Sequence, residues 1–373
     1  MKYSSSYIKK GTSKDIMDFQ SSKSHYSKKQ LSYSVYSEAI VLPSLDYDSK
    51  GYIYGGIVDR ESKYVNESAC TEGRCFEYEF DKNDIVKVDK DVVFIGFFII
   101  CYGHGFTDNI KKLWWLKENN SQDFNIVYIT EKNNELPVWQ KKIYDLLDID
   151  YSKWTHIKEI TQFKSILVPD NSLINNNEFR IYTNEFSNLI SLMKQNVLSK
   201  KYDTETYKKI YFSRSKIINY WREFGEKCIE REFQKRGYKI IYPETLSVEK
   251  QIYLMANCTE FVSTEGSCAH NSIFCNKDTK VIILRKADYA NSFQLMINEI
   301  ADLDVLYIDV HHSSIVNPTE PHHGPFYLTI TRQLARYLGI RLYFPYWLKP
   351  SYYVYKKQAW AKYGKYFKAE KRF

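Results

Sequence analysis

Apolar runs alternate with helically spaced apolar positions in the first half of the chain. The runs at 91–98 and 124–129 are typical of buried strands, and the spacing over 106–116 and 138–147 predicts helices. Strands that alternate with helices in this way predict a parallel α/β layer.

The second half of the chain shows the same alternation more regularly. Apolar runs predict strands at 209–212, 238–242, 259–262 and 280–284, and helical spacing predicts helices at 224–236, 247–256 and 269–275. Gly237 fits a left-handed helix cap, and Ser247 fits an N-cap with Lys250 in place of the usual capping-box glutamate. We therefore expect two α/β domains, with the boundary near 198–206.

Segments of a different character accompany these two domains. The first residues are rich in Ser, Lys and Tyr with little periodicity, which is typical of an extension. Turn residues at 48–51 and 54–56 predict a small β-hairpin region, and a helix is predicted at 327–338. We divide the chain into an N-terminal extension (1–35), a first α/β domain (36–203), a second, Rossmann-like α/β domain (204–310) and a C-terminal helical tail (311–373) that packs back on the first domain.

Composition narrows the class of protein. A chain of 373 residues suits two domains of roughly 150 residues each. With 44% hydrophobic and 26% charged residues it is not a disordered chain. The net charge of +8 favours anionic partners such as phosphates, nucleotides or membrane surfaces. Seven scattered cysteines, a polar N-terminus and no apolar run of membrane-spanning length predict a soluble, reduced, cytoplasmic protein.

The most specific local signal is a small-residue turn between a predicted strand and a predicted helix. Gly and Ser at such a turn let backbone N–H groups converge at a helix N-terminus, where phosphate oxygens bind. The candidate residues of this turn are Glu265, Gly266, Ser267, His270 and Asn271. The other interpretation is a tight turn with a satisfied polar cap.

Two basic residues follow the first strand of the same domain. Arg214 lies two residues beyond the strand at 209–212, and Lys216 lies two residues further on. An arginine at this strand end could contact the phosphates of a ligand held by the turn, through charge-assisted hydrogen bonds. The alternative is an ordinary surface arginine.

The first domain holds a candidate base. His104 and Asp108 follow its apolar strand and are four residues apart, so that they share a face if the next helix begins early. An imidazole or carboxylate near a sugar hydroxyl can act as general base. The alternatives are an N-cap for Asp108 and a hydrogen-bonded core position for His104. Two D-x-D triplets, at 148–150 and 302–304, are the type of sequence that binds a divalent metal with a diphosphate, but we expect no metal site there.

Taken together, these residues resemble glycosyltransferase family 61. That family has an R…R-x-x-N-E stretch, a helix carrying E-Q, the turn G-x-H-G-A-x-x-x-N-x-x-F and an N-terminal H-x-x-x-D before a leucine/tryptophan helix. The corresponding positions are Arg214, Arg222, Glu226, Gln251, 265–274, His104, Asp108, Leu113 and Trp114. The likeness covers 94–116 and 210–284, and is nearest to the bacterial branch of capsular polysaccharide and lipopolysaccharide synthesis. Three positions depart from the pattern: Gly225-Glu226 replaces Asn-Glu, Lys250-Gln251 replaces Glu-Gln, and Glu265 stands where many members have histidine.

The resemblance implies a GT-B-like fold of two Rossmann-like domains facing a cleft. It further implies an inverting, metal-independent glycosyltransferase with a nucleoside-diphosphate sugar as co-substrate, no other cofactor, and a glycan or lipid-linked acceptor. Asp108 is then the catalytic base, with His104 as its orienter or substitute. The residues expected to bind the donor are Arg214, Lys216, Glu265, Gly266, Ser267, His270 and Asn271. Glu265 is expected to accept hydrogen bonds from a ribose or sugar hydroxyl.

Partners and alternatives complete these expectations. Peripheral association with the cytoplasmic face of the inner membrane is expected, and nucleic acid is not. One rival function is a polyol-phosphate or sugar-phosphate transferase of cell-surface polymer synthesis, which releases a nucleoside monophosphate. The other is a module that binds a nucleotide or glycan without turnover.

Overall fold

The chain divides into two compact units in a computed structural model. The first unit is Ser24–Lys201, and the second combines Met1–Lys23 with Tyr202–Phe373. The structure describes residues 3–4, 25–46, 52–70, 75–119, 123–176, 180–200, 202, 204–217, 223–287, 291–311, 325–340 and 348–370, with the backbone alone at 3–4 and 362–370. The first unit ends at Lys201, and the sequence places the domain boundary near 198–206.

Strands and helices alternate through most of the described chain. The strands are β1 (Tyr3–Ser4), β2 (Tyr33–Ser37), β3 (Ile40–Leu42), β4 (Ile53–Tyr54), β5 (Gly56–Val58), β6 (Cys75–Phe76), β7 (Val86–Phe98), β8 (Asn125–Thr130), β9 (Thr155–His156), β10 (Thr161–Pro169), β11 (Leu173–Asn175), β12 (Arg180–Tyr182), β13 (Lys209–Phe212), β14 (Glu223–Phe224), β15 (Lys239–Ile241), β16 (Glu260–Thr264), β17 (Lys280–Arg285), β18 (Val305–Asp309) and β19 (Phe326–Tyr327). The α-helices are α1 (Tyr102–Gly105), α2 (Trp114–Glu118), α3 (Val138–Leu146), α4 (Asn184–Leu198), α5 (Glu226–Gln234), α6 (Val248–Asn257), α7 (Ser267–His270), α8 (Ser292–Ile300), α9 (Arg332–Leu338) and α10 (Pro350–Glu370). Short 3₁₀ helices include Asp108–Ile110 and Asn271–Phe274. The predicted α/β class is confirmed.

The first unit is built on a mixed sheet. Its strand order is β5-β3-β10-β7-β8-β9, and β2 also pairs with β10. The strands β10, β7, β8 and β9 run parallel, whereas β2, β3 and β5 add antiparallel pairs. The second half of β7, from Val92 to Phe98, is buried throughout, as its continuous apolar run predicts. In the predicted β-hairpin region, β3 and β5 are antiparallel and β4 and β6 are parallel, and the expected turn at 48–51 lies outside the described residues.

The predicted helix over 106–116 is interrupted. Thr107 has φ −128° and ψ −93°, which lies outside the helical region, and only a 3₁₀ turn follows before α2 starts at Trp114. The Thr107 hydroxyl donates to the Asp108 carboxylate at 3.2 Å. Local side-chain hydrogen bonds of this kind compete with the helical backbone ladder. The prediction of one continuous helix is therefore wrong here.

The second unit is built on a parallel sheet in a doubly wound order. Its strands lie in the order β1-β18-β17-β16-β13-β15, and every pair between neighbours is parallel. If β13, β15, β16, β17 and β18 are numbered 1 to 5 in chain order, their order across the sheet is 2-1-3-4-5. The direction of winding therefore reverses between β13 and β16. Ligands of open α/β sheets bind beyond the strand carboxyl ends at such a switch point. The edge strand β1 comes from the segment predicted to be an extension.

Glycine and polar caps fix the helix ends of this unit. The helix α5 begins at Glu226, two residues later than predicted, because Gly225 has φ +85° and the two preceding residues form β14. Gly237 follows α5 with φ +82°, as a left-handed cap requires. Ser247 accepts a hydrogen bond from the Lys250 amide and caps α6, which confirms the predicted N-cap.

The C-terminal part of the chain differs from its prediction in two ways. The helix α9 begins at Arg332 rather than at 327, because Phe326 and Tyr327 pair as β19 with β14. The tail is helical, but α10 packs through Tyr355 and Ala359 against Tyr327 in the second unit, whereas we expected it on the first domain. Among the described helices, none is long and apolar enough to cross a bilayer.

Candidate functional site

Three neighbouring strands of the second unit are each followed by a residue of a type that occurs in anion-binding sites. Arg214 follows β13, Gly266 follows β16 and Lys286 follows β17. These strands are adjacent in the order β17-β16-β13, so their carboxyl ends lie side by side. The group includes the switch point of the sheet, where a ligand is expected.

Gly266 leaves room between the two cations. A Cβ built on this residue would lie 3.3 Å from the Lys286 Nζ and 3.4 Å from the Arg214 Nη1. An oxyanion near that position is within reach of charge-assisted hydrogen bonds from both groups. The backbone has φ 121° and ψ −161°, a conformation essentially restricted to glycine. We call Arg214, Gly266 and Lys286 the anion seat.

A buried carboxylate holds the two cations. Glu223 Oε1 lies 2.6 Å from the Lys286 Nζ and 3.6 Å from the Arg214 Nε. The three side chains are only 5%, 12% and 12% exposed, respectively, so their interactions are weakly screened by water. Glu223 and Lys286 were missed in the sequence. Lys286 stands two residues beyond the predicted strand 280–284, as Arg214 stands beyond 209–212, and this parallel could have revealed it.

A second carboxylate fixes the backbone below Arg214. Glu226 accepts hydrogen bonds from the Tyr211 hydroxyl at 3.0 Å and from the Arg214 amide at 3.1 Å. Burial raises the pKa of Glu226 to about 8, and the negative charges of Glu223 and Glu230 add to the effect. The preceding Gly225 replaces the asparagine of the family motif, and a Cβ there would lie 2.1 Å from the Leu328 carbonyl oxygen. Glycine is therefore required at this position.

Glu265 lies beside the seat but faces the protein. Its carboxylate accepts a hydrogen bond from the Asn291 amide at 2.7 Å, and the residue is buried. Burial raises the pKa of this carboxyl, while the Asn291 hydrogen bond and the charges of Arg285 and Lys286 lower it in part. Its expected contact with a ribose or sugar hydroxyl stays a prediction.

The other predicted donor-binding residues are not all at the seat. Ser267 is the first residue of α7, next to Gly266. Lys216 is exposed, with its Nζ 3.9 Å from the centre of the Tyr242 ring. Arg222, which the family motif includes, lies outside the described residues.

His270 and Asn271 are buried in the interior, where we expected side chains directed at the donor. The His270 Nδ1 lies 3.0 Å from the Gln294 Oε1. Gln294 continues the network by donating to Ser272, and Asn271 donates to the Cys268 carbonyl at 3.2 Å. For these two residues the geometry fits the alternative interpretation, a turn with satisfied polar groups.

The candidate base lies in the first unit, just beyond the carboxyl end of β7. The Nδ1 of His104 is 2.5 Å from the Oδ2 of Asp108, and Thr107 donates to the same oxygen. The carboxylate binds the Nδ1 proton and thereby makes Nε2 the basic nitrogen of the ring. The His104 side chain is 28% exposed and that of Asp108 only 8%. The two residues are thus in contact, as their spacing allowed.

Buried polar contacts hold this pair against the sheet. Asn109 accepts from the Ile99 amide at 3.0 Å and donates to the Ile99 carbonyl at 2.9 Å, which ties the loop to the end of β7. Lys111 is buried, and its Nζ donates to the carbonyl oxygens of Ala69 and Cys70 at 3.0 and 2.9 Å. Gly105 packs so closely that an added Cβ would lie 2.5 Å from Trp139.

Three further results bear on the function of the chain. Within the described part of the chain, no three His, Cys, Asp or Glu side chains lie close enough to hold a metal ion. Among curated proteins, none matches the chain. The family model for glycosyltransferase 61 matches residues 102–282, which include His104, Asp108, Arg214 and Gly266. This match confirms the resemblance drawn from the motifs and supports a transferase. Residues 102–282 therefore correspond to a glycosyltransferase 61 domain.

Proposed function

We propose that the chain moves a sugar from a nucleoside-diphosphate sugar to a hydroxyl of a glycan or lipid-linked acceptor. The observation that carries this proposal is the anion seat. Two side-chain cations converge on a bare glycine at the switch point of a parallel sheet. The match to glycosyltransferase 61 supports glycosyl transfer as the reaction. The two cations of the anion seat favour a negatively charged leaving group.

The seat suits a diphosphate that gains negative charge as the glycosidic bond breaks. Arg214 and Lys286 are fixed before the substrate arrives, since Glu223 binds both. Preorganised cations in a poorly hydrated site stabilise developing charge without reorganisation. Because two protein cations supply this stabilisation, the proposed reaction needs no metal ion at the diphosphate.

The base belongs to the His104–Asp108 pair, with the two roles exchanged relative to the prediction from sequence. His104 is the more exposed of the two, and the Asp108 oxygen already accepts hydrogen bonds from His104 and Thr107. His104 Nε2 then takes the proton of the acceptor hydroxyl, while Asp108 orients the ring and stabilises the imidazolium. The acceptor oxygen forms the new bond to the anomeric carbon as the bond to the diphosphate breaks, which inverts the anomeric configuration.

The acceptor and the biological setting follow from the resemblance alone. The bacterial branch of family 61 that acts in capsular polysaccharide and lipopolysaccharide synthesis is the nearest in motif. We therefore propose a role in surface polysaccharide synthesis, in the cytoplasm, with the acceptor presented as a glycan or lipid-linked saccharide.

Product analysis tests the proposal. The full chain is incubated with UDP-, GDP-, dTDP- and CMP-linked sugars and a panel of saccharide acceptors, and the released nucleotide is identified. We expect acceptor-dependent release of a nucleoside diphosphate. Release of a nucleoside monophosphate from a diphosphate-linked substrate would instead indicate a sugar-phosphate transferase. Binding without turnover across the panel would indicate a binding module.

Arg214→Ala makes the same experiment specific to the seat. Loss of a charged hydrogen bond costs about 1.5–3 kcal/mol, so that the nucleotide Kd should rise roughly 10- to 150-fold. Lys277→Ala is the matched control, because this lysine is exposed and lies in the same unit. An unchanged Kd in Arg214→Ala would remove the arginine from the site.

A further inference from the structure

The positive charge of the chain is concentrated at its C-terminus. Residues 349–373 contain eight basic residues and one acidic residue, a net charge of +7, compared with +8 for the whole chain. The basic residues are Lys349, Lys356, Lys357, Lys362, Lys365, Lys368, Lys371 and Arg372. The remainder of the chain is therefore close to neutral, and this segment carries most of the net positive charge.

One face of α10 anchors this segment to the second unit. Tyr355 and Ala359 are 2% and 1% exposed, and they pack with Tyr327. Tyr352, one turn before Tyr355, is packed against the same cluster. Residues spaced three and four apart lie on one side of a helix. The opposite side of α10 is consequently fixed in an outward orientation.

The opposite side carries aromatic rings and lysines together. Tyr353 and Trp360 are 62% and 53% exposed, and Lys356 and Lys357 are exposed beside them. At 100° per residue, Tyr353, Lys357 and Trp360 lie on the side of the helix away from Tyr355, whereas Lys356 lies at the border of this side, with its Nζ 5.8 Å from the centre of the Tyr352 ring. We call Tyr353, Lys356, Lys357 and Trp360 the outer face.

Tyr353 and Trp360 are two turns apart on the same side of α10, so their exposed rings belong to one surface. Tyr and Trp combine an apolar ring with a polar group, and they collect where an apolar phase meets an aqueous one. Lysines extend a charge on a long apolar stem and reach lipid phosphates from the same depth. Tryptophan and lysine are both common in helices that bind at a membrane interface.

We propose that the outer face of α10 docks on the surface of an anionic lipid bilayer. The rings of Tyr353 and Trp360 enter the headgroup region, and Lys356 and Lys357 bind lipid phosphates. A helix of 21 residues extends over about 32 Å, which is enough for several headgroups. Charge complementarity selects anionic over neutral lipid, and the face lies flat because its other side is held by Tyr355 and Ala359. This proposal is independent of the glycosyl transfer proposed above.

Vesicle flotation of the full chain tests the proposal. Vesicles of pure phosphatidylcholine are compared with vesicles that contain 30% phosphatidylglycerol, at low and high salt. We expect binding to the anionic vesicles alone, weakened by salt because surface attraction is screened. Each lysine near an anionic surface contributes about a fivefold gain in partitioning, so that the double variant Lys356→Glu/Lys357→Glu should lose roughly 30-fold or more.

Matched variants separate the outer face from net charge. Lys227→Glu/Lys277→Glu changes the net charge equally at two other exposed lysines of the same unit and should bind as the wild type does. Tyr353→Ser/Trp360→Ser keeps the charge and should weaken binding severalfold, with an unchanged circular dichroism spectrum. Equal losses in the two charge-reversal variants, or equal binding to neutral vesicles, would overturn the proposal. So would binding to a single-stranded oligonucleotide through this face with no binding to vesicles.

Discussion

Gly266→Ala places a methyl group between the two cations of the anion seat. The added carbon would lie 3.3 Å from the Lys286 Nζ and 3.4 Å from the Arg214 Nη1, where the oxyanion is expected. Losing one charged hydrogen bond costs about 1.5–3 kcal/mol, which corresponds to a roughly 10- to 150-fold rise in Kd. The backbone conformation at φ 121° adds a folding cost of about 1–3 kcal/mol for any residue other than glycine.

Gly237→Ala is the matched control for this variant. Gly237 also has a positive φ, +82°, but a Cβ there meets nothing within 4 Å. Both variants should therefore unfold at lower urea concentration than the wild type, and only Gly266→Ala should lose nucleotide affinity. Isothermal titration with UDP, GDP and pyrophosphate measures the Kd, and urea unfolding measures stability. If Gly266→Ala and Gly237→Ala bound these ligands within twofold of each other, the seat would not be the phosphate site.

Three further predictions concern the residues around the two sites. His104→Ala and Asp108→Asn should each lower kcat by at least about 100-fold with little change in nucleotide Kd, since a general base contributes roughly that much; equal kcat in either variant would remove that residue from catalysis. Glu223→Gln should raise the nucleotide Kd severalfold and leave the His104 chemistry intact, because it frees two cations that Glu223 positions; a lower Kd would show that the carboxylate mainly repels the ligand. Burial raises the pKa of Glu226 from 4.5 to about 8, so the folded chain keeps a proton that the unfolded chain releases, and this group reduces stability as pH rises from about 4.5 to 8. Relative to wild type, Glu226→Gln should flatten the fall of the unfolding free energy over that range by up to about 1.4 kcal/mol per pH unit, measured by urea unfolding at several pH values; parallel pH curves for the two proteins would contradict the raised pKa.

The regular strands and helices were predictable because burial imposes a period on the sequence. The strands β13, β16 and β17 are apolar runs buried on both faces, and their predicted bounds are within two residues of the observed ones. The helix α4 has buried residues with clear helical spacing, at Phe186, Leu189, Ile190, Met193 and Val197, and was not predicted although the signal was present.

Departures from the predicted elements come from backbone conformations that apolar spacing does not encode. The late start of α5 depends on a positive φ at Gly225 and on the pairing of β14 with β19, which is distant in sequence. The break at Thr107 depends on side-chain hydrogen bonds to Asp108. The α/β class was thus accessible from the sequence, whereas the pairing of distant strands was not.

The candidate sites were predicted through short spacings and missed where the fold brings distant residues together. The contact between His104 and Asp108 follows from a separation of four residues. Lys286 and Glu223 are in contact but are 63 residues apart in the sequence, and no local pattern predicts this contact. His270 lies in the predicted turn, but its side chain binds Gln294 in the core, and the direction of a side chain is set by packing that the spacing does not show.

The pairing of β1 with β18 has a consequence for how the chain can be assembled. Tyr3 pairs with Val305, so this border of the sheet closes only when two segments that are distant in sequence have both been synthesised. Until then, the nascent strand and later the open sheet border are exposed, and unpaired borders promote association between chains. Deletion of Tyr3 and Ser4 should accordingly reduce the yield of monodisperse protein more than a deletion of equal size within an exposed loop.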